Sequence, residues 1–546
     1  RFFIYFCGLP EAIFGISTFP LLMILLLSIS LYFVYTGGQI AVIIADFFQG
    51  VFVNIIFVIM IFYLFFSVGW EQVTEALEQT PLKLAQEEIV NLQSEKSFLE
   101  LTQPEQSEKI ENINIKYENS SRINPFKTSH VEDFNFWYFL IGIIGVMYGT
   151  MSWQGTQAYN ASAKSAHEAK MGGVLAGFRG LPQGLFFLFV PVVIYVLMNH
   201  PDYHGIATSV NAALDGLDSD TLKSQLRGPM VLSNILPMGL MGAFAAVMFA
   251  AFISTHDTYL HSWGSIFIQD VVMPFRDKPF EKETHLKLLR YSIFGVAIFI
   301  FLFSLLFQQN QKIALFFAIT GAIFAGGSGA VIIGGLYWKR GTTAAAWTAL
   351  SMGAIIAVGG IIFKQISSDW LADSSSLAGF KNIILYLRDI NGQMYWGIGM
   401  GASAFSYIIV SLFGATHFNM DKLLNRGAYA NINELKIVEK EPERGWKIFG
   451  MGKEFTPFDK FIYLLNYIWT FSWTLVFIVG TIYNVSHDVS NESWMTFWKY
   501  YIFIQIGMAL ISIIWFTWGG FKDLKVMMIR LKSDERDHGD DGWVSR

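Results

Sequence analysis

Charge is what this chain has least of. Asp, Glu, Lys and Arg make up 15% of its 546 residues, against about 25% in a soluble globular protein. With 53% hydrophobic and 16% aromatic residues, an ordinary water-soluble fold is excluded. Cysteine is nearly absent, and the single Cys7 rules out an internal disulfide framework or a cysteine-based metal cluster. The net charge of −5 says little, because the distribution of Lys and Arg matters more in a membrane protein; no nucleic-acid partner is expected. No Walker loop, Gly-x-Ser-x-Gly elbow or His-Glu-x-x-His motif is present, so the common nucleotidase, hydrolase and zinc-protease signatures are missing. A signal peptide is also missing, and the chain opens in apolar Arg1-Phe2-Phe3-Ile4-Tyr5-Phe6. The expectation is that the natural N-terminus, with several helices, precedes Arg1.

Long apolar runs are abundant. Stretches of membrane length lie at about 16–36, 38–68, 134–158, 172–198, 231–271, 289–308, 312–338, 343–363, 394–415, 459–484 and 494–518, predicting about eleven helical crossings of a lipid bilayer. Basic residues cluster in alternate loops: Arg276 to Arg290, Lys339-Arg340, the 416–458 connector and the tail after Trp518. Threaded in order, these loops fall on one side. The positive-inside rule then places the C-terminus in the cytoplasm of a cell whose plasma (inner) membrane holds the protein.

The polar segment from Glu71 to Asp133 interrupts this pattern. It is rich in Glu, Gln, Asn, Lys and Ser, and carries Pro81, Pro104 and Pro125. It reads as a solvated, partly helical or disordered extracellular insertion, with a partner-binding cap as the alternative. Glycines mark two further features. Gly37-Gly38 predicts a tight turn between the first two spans, and Gly326-Gly327-Ser328-Gly329 falls mid-span, where close packing or local unwinding needs small residues.

Polar groups at membrane depth concentrate in Ala250 to Leu260. As a helix, Ala251, Ser254, Thr255 and Thr258 share a face, with Asp257 one residue off it. Hydroxyls in such a helix either bond back to their own carbonyls or, with few formal charges, suit a hard cation. A carboxylate at mid-membrane costs roughly 2.5–3.5 kcal/mol and needs a partner, which favours the ion site. Asp46, about two turns past Gly38, either reaches back to the interface or faces the bundle and completes that site with Ser254, Asp257 or Thr258. At Tyr148 to Gln157 another span breaks into small and polar residues, offering either unwound backbone for a polar solute or an ordinary capped helix end.

Ala-Phe-Ile-Ser254-Thr255-His-Asp-Thr-Tyr-Leu, followed by Ser265 to Asp270, resembles the signature helix of the sodium/solute symporter family. Gly37 to Gln49 resembles a second family motif, and Gly335-Leu-Tyr-Trp-Lys-Arg340 also fits. The resemblance implies an all-α polytopic membrane protein with the five-plus-five inverted-repeat fold of the bacterial leucine transporter. Residues 1–70 would hold the last two core helices of the first repeat, 71–133 the insertion and 134–338 the second repeat. Peripheral helices would fill 339–518, around the 416–458 connector, before a cytoplasmic tail at 519–546. The main Na⁺ site would take the Ala251 carbonyl and the Ser254 and Thr255 hydroxyls. Asp46, Asp257 and Thr258 would contribute to a further Na⁺ site, and Trp153 and Gln157 would lie near the solute. His256 replaces a small residue, and Met151-Ser152-Trp153 lacks the tyrosine that gates the sugar site of glucose-transporting members. A hexose is therefore not the expected solute.

The resulting expectation is Na⁺-coupled symport of a small polar organic solute by alternating access. Two alternatives remain: a membrane-embedded enzyme of acyl transferase type using His256 and Asp257, or a solute sensor with a transporter-like domain. Neighbours on a helix point about 100° apart, a poor geometry for the enzyme. The solute, the Na⁺ stoichiometry and the oligomeric state are not specified by these residues.

Overall fold

A backbone surrounded by lipid must pair its own N–H and C=O groups, and an apolar run does so by coiling into a helix. The computed structural model is helical almost throughout. It describes residues 2–94, 96–118, 120–127, 133–149, 152–217, 219–307, 312–366, 380–414, 419–423, 427–429, 450–452 and 454–533. Most of the basic connector, the last part of the tail, Thr150, Met151 and Asn119 lie outside these residues.

The principal helices are α1 (Thr18–Ser67), α2 (Phe136–Tyr148), α3 (Ala166–Arg179), α4 (Leu181–Asn199), α5 (Met238–Ile266), α6 (Lys282–Leu306), α7 (Ile313–Tyr337), α8 (Thr343–Gln365), α9 (Gly392–Phe413), α10 (Pro457–Ser486) and α11 (Asn491–Ser533). Among the described residues, 9 helical stretches are long and apolar enough to cross a membrane, with α3 and α4 counted together. The 50-residue α1 would be about 75 Å long if straight, far more than a bilayer of about 30 Å. Gly38 divides it, at φ 54 and ψ −149, a left-handed conformation that favours glycine. Its two halves match two expected spans. Phe471, Phe477 and Ile482 on α10 stand exposed, as lipid-facing side chains do.

Three details differ from the sequence-based boundaries. The apolar run beginning near Val231 breaks at Leu236–Pro237, where one helix ends at Ile235 and α5 begins at Met238. Pro237 has no N–H to continue the ladder, and it occupies the N-cap of α5. The helix expected over 134–158 ends at Tyr148, with Gly149 as its C-cap. A two-residue β-hairpin precedes α1, pairing Ala12 with Ser17 and Ile13 with Ile16 through Phe14 and Gly15, both at positive φ.

The chain forms two compact units. One comprises Arg1–Lys127, Ala158–Phe307 and Tyr463–Arg546, the other Thr128–Gln157 and Gln308–Ile462. In the first, α1 packs along α4, α5, α6 and α11. Its core is aromatic and β-branched: Phe57 stacks on Phe186 with centroids 3.9 Å apart, above buried Val193, Val196 and Val247. A smaller cluster of Val34, Val42, Leu260, Ile293 and Ala297, joined by Tyr159, packs α1, α5 and α6 beside the polar groups described below.

Residues 71–127 of the insertion belong to this unit, and those described are mostly helical. Helices Thr80–Ser94 and Gln103–Glu118 pack together, and Lys116 Nζ lies 2.9 Å from Glu88. It docks on the end of α4, where Thr80 and Tyr195 hydroxyls meet at 2.6 Å and Lys83 donates to the Asn199 carbonyl at 2.8 Å. Farther on, Lys127 pairs with Asp488, and Trp498 Nε1 donates to the Ile123 carbonyl.

The second unit is a close packing of α7, α8 and α9, with α2 against α9. A Cβ on Gly327 would stand 2.6 Å from the Ala349 carbonyl oxygen, and one on Gly353 would stand 2.7 Å from the Gly327 nitrogen. The mid-span glycines of α7 therefore serve backbone-to-backbone packing in an unbroken helix. Ser403 Oγ, buried, donates to the Ala349 carbonyl across the same interface.

Candidate ion-binding site

The polar stretch of α5 forms regular helix, and its buried side is set by Ile253, Asp257 and Leu260. This face meets α1. Ser254, one turn before Asp257 and Thr258, donates its hydroxyl to Asp46 Oδ1 at 2.6 Å. Asp46 thus faces the bundle rather than reaching back to the interface. Arg179, at the end of α3, is the cation whose field reaches it.

Asp257 is completely buried, at 0% exposure, and neither carboxyl oxygen has a hydrogen-bond partner within the protein. Ser30 of α1 adjoins that carboxyl, itself buried and with its hydroxyl unpartnered. The phenol of Tyr159 is the third orphan. It neighbours Thr258 and lies within electrostatic range of both Asp46 and Asp257. Ser30 adjoins Asp257, Asp46 and Tyr159 lie within its electrostatic range, and Ser254 and Thr258 in turn contact Asp46 and Tyr159. An ionised carboxylate stripped of water and hydrogen bonds is strongly unfavourable unless a cation or a proton joins it. Hydroxyl and carboxylate oxygens are the ligands a hard cation takes.

Ala251 and Thr255 lie apart from this group. Thr255 is exposed and donates to the Ala251 carbonyl at 2.8 Å, the i to i−4 back-bond open to any helical threonine. The helix spacing placed Ser254 and Thr255 on one stripe. The structure turns α5 so that Asp257, one residue off that stripe, is central.

Trp153 and Gln157 belong to the second unit. After α2 the chain makes a tight turn, with Ser152 Oγ donating to the Gly149 carbonyl at 2.7 Å, then a single 3₁₀ turn at Gln154–Thr156. Trp153 is exposed, and Gln157 Nε2 contacts its carbonyl at 3.4 Å. The helix ends at Tyr148, and both residues follow that end.

His256 stacks on Phe252 with centroids 3.9 Å apart and contacts the Phe252 carbonyl through Nδ1 at 2.8 Å. It therefore neither orients nor is oriented by Asp257, and the base–acid pair that an acyl transferase would need does not form.

Sequence reasoning missed Ser30 and Tyr159. Ser30 was legible only as a hydroxyl in the run Leu25-Leu26-Leu27-Ser28-Ile29-Ser30-Leu31, with nothing to separate it from exposed Ser28. Tyr159 lies just past the broken span, more than a hundred residues from Ser30.

Over 198 residues the chain is 25% identical to the sodium/mannose cotransporter SLC5A10 of Bos taurus, covering 36% of this chain and 32% of that protein. Over 205 residues it is 27% identical to sodium/myo-inositol cotransporter 2 of Mus musculus, covering 36% and 29%. The matched stretch thus spans about a third of the length of these relatives. A solved Na⁺-coupled sialic acid symporter, substrate-bound and outward-open, superposes with a TM-score of 0.46 at 15% identity, covering 76% of this chain and 71% of that one. Residues 7–353 match the model of the sodium:solute symporter family, a stretch that holds α1 to α7 and every oxygen around Asp257. This multi-pass helical membrane protein belongs to the sodium:solute symporter family.

Proposed function

We propose that the protein is a secondary active transporter that couples Na⁺ entry to the movement of a small polar organic solute by alternating access. The observation that carries this reading is the fully buried carboxyl of Asp257, adjoined by the Ser30 hydroxyl and within electrostatic range of Asp46 and Tyr159. A buried carboxyl of this kind calls for a cation or a proton, and family membership supports Na⁺ as the cation. Na⁺ is cargo here. Its entry gains about 2.3 kcal/mol per 100 mV of membrane potential, and its binding would favour one of two arrangements of the helices.

In this reading Asp46, Ser254, Asp257 and Thr258 serve an ion site to which Ser30 and Tyr159 contribute. Ala251 and Thr255 belong to a second Na⁺ position that requires the Thr255 hydroxyl to leave its back-bond. Trp153 and Gln157, at the break in the second unit, contact the solute. The relatives named for mannose and myo-inositol support a small hydroxylated solute. The five-plus-five inverted repeat, an extracellular insertion and a cytoplasmic C-terminus complete the proposal, the last supported by the basic loops.

The test is solute uptake into proteoliposomes as a function of external Na⁺. Asp257→Asn is expected to raise the half-saturating Na⁺ concentration by about tenfold or more, as for loss of a charge-assisted contact. Ser30→Ala is expected to raise it less. Unchanged Na⁺ dependence in Asp257→Asn would refute the assignment.

A further inference from the structure

A cavity of about 530 Å³ lies in the first unit, between the docked insertion and the C-terminal end of α4. Sites for small molecules fall in the range of about 300–1,000 Å³. Three cations line it, Lys83, Arg122 and Arg227, against one acid, Glu87. They come from three places far apart in sequence: the inserted helix Thr80–Ser94, the loop after Glu118, and the helix Asp220–Ile235. Lys83 spends one N–H on the Asn199 carbonyl. Among the described residues, no acid pairs with Arg122 or Arg227. Arg122 and Arg227 are exposed at the cavity, so water screens their mutual repulsion, and an anion entering it would meet two guanidiniums that no acid among the described residues occupies. Ile194 and Met198 of α4 add apolar surface to the lining.

We propose that this cavity binds a phosphate ester anion, held by Arg122, Arg227 and Lys83. The planar fork of each guanidinium matches paired phosphate oxygens. An anionic phospholipid would lay its glycerol and first acyl carbons on Ile194 and Met198. A soluble phosphate ester would satisfy the same cations. The site is separate from the oxygens around Asp257 and independent of the transport reading.

Binding to the purified protein in detergent tests the proposal, with phosphatidylglycerol, phosphatidylcholine of the same chains, and glycerol 3-phosphate as probes. Phosphatidylglycerol or glycerol 3-phosphate is expected to bind the wild type, with about tenfold or greater loss in R122Q/R227Q. The control K109Q removes an exposed cation of the insertion that does not line the cavity, and is expected to bind as the wild type does. Glycerol 3-phosphate competing with the lipid assigns a soluble ligand, and phosphatidylglycerol binding alone assigns a lipid. The wild type preferring neither anion over phosphatidylcholine overturns the proposal, as does R122Q/R227Q binding as tightly as the wild type. R227Q alone gives the same reading if the double variant folds poorly.

Discussion

At the scale of single residues, the decisive contrast lies between Asp257 and Thr255, two positions apart on one helix. Thr255 can satisfy its own hydroxyl from the carbonyl four residues back. Asp257 has no such recourse, because a carboxylate accepts but cannot donate to a carbonyl. Helical spacing fixed which residues share a face, yet it could not say which way the face turns. That depends on Leu260 finding apolar partners on α1 and α6. Asp46 and Ser254 are in direct contact, so their substitutions should not be independent. In a double-mutant cycle on Na⁺-dependent uptake, Asp46→Asn and Ser254→Ala are each expected to weaken Na⁺ dependence. Together they should do little more than the worse of the two, with a coupling of about 0.5–3 kcal/mol. Strict additivity would show that the hydrogen bond has no part in the ion site.

At the scale of elements, the helices were legible because lipid permits so few alternatives. An apolar run of about twenty residues has to become a helix. Their breaks were less legible. Pro237 stands inside an unbroken apolar run in sequence, and only its missing N–H ends the helix before it. The glycines of α7 allowed packing or unwinding, and the choice rests on Gly353 of α8, a partner that local pattern does not reveal. Gly327→Ala drives a Cβ into the Ala349 carbonyl. It is expected to destabilise the protein by about 1–3 kcal/mol in thermal unfolding in detergent. Gly335→Ala, on the same helix with nothing within 4 Å of its Cβ, is expected to be neutral or mildly stabilising.

The insertion gives a pH-dependent test. The Tyr117 hydroxyl and the Lys116 ammonium bond Glu88 and hold its carboxyl below the usual carboxylate range. A depressed folded-state value means the contribution is present above the ordinary pKa and is lost as pH falls through the folded one. Half-exposed pairs contribute no more than about 1 kcal/mol. Hydrogen exchange of the Gln103–Glu118 amides, corrected for intrinsic rates, should be faster in Glu88→Gln than in the wild type at pH 7. The difference should vanish in strong acid, and a difference that persisted there would rule out the carboxylate as its source.

At the scale of the whole molecule, composition alone established a membrane protein, and the resemblance of a few motifs led to the family. The insertion was the least legible part. Its polar composition suggested a solvated, partly helical or disordered insertion, while its contacts with α4, Asp488 and Trp498 lie far apart in sequence. The same distance hid Ser30 and Tyr159. Direct Na⁺ binding to the purified protein, by calorimetry in a K⁺ background, tests the central claim most closely. The account predicts saturable Na⁺ binding in the wild type, weakened about tenfold or more by Asp257→Asn, with folding retained. Undiminished Na⁺ binding in that variant, or none in the wild type, would contradict it.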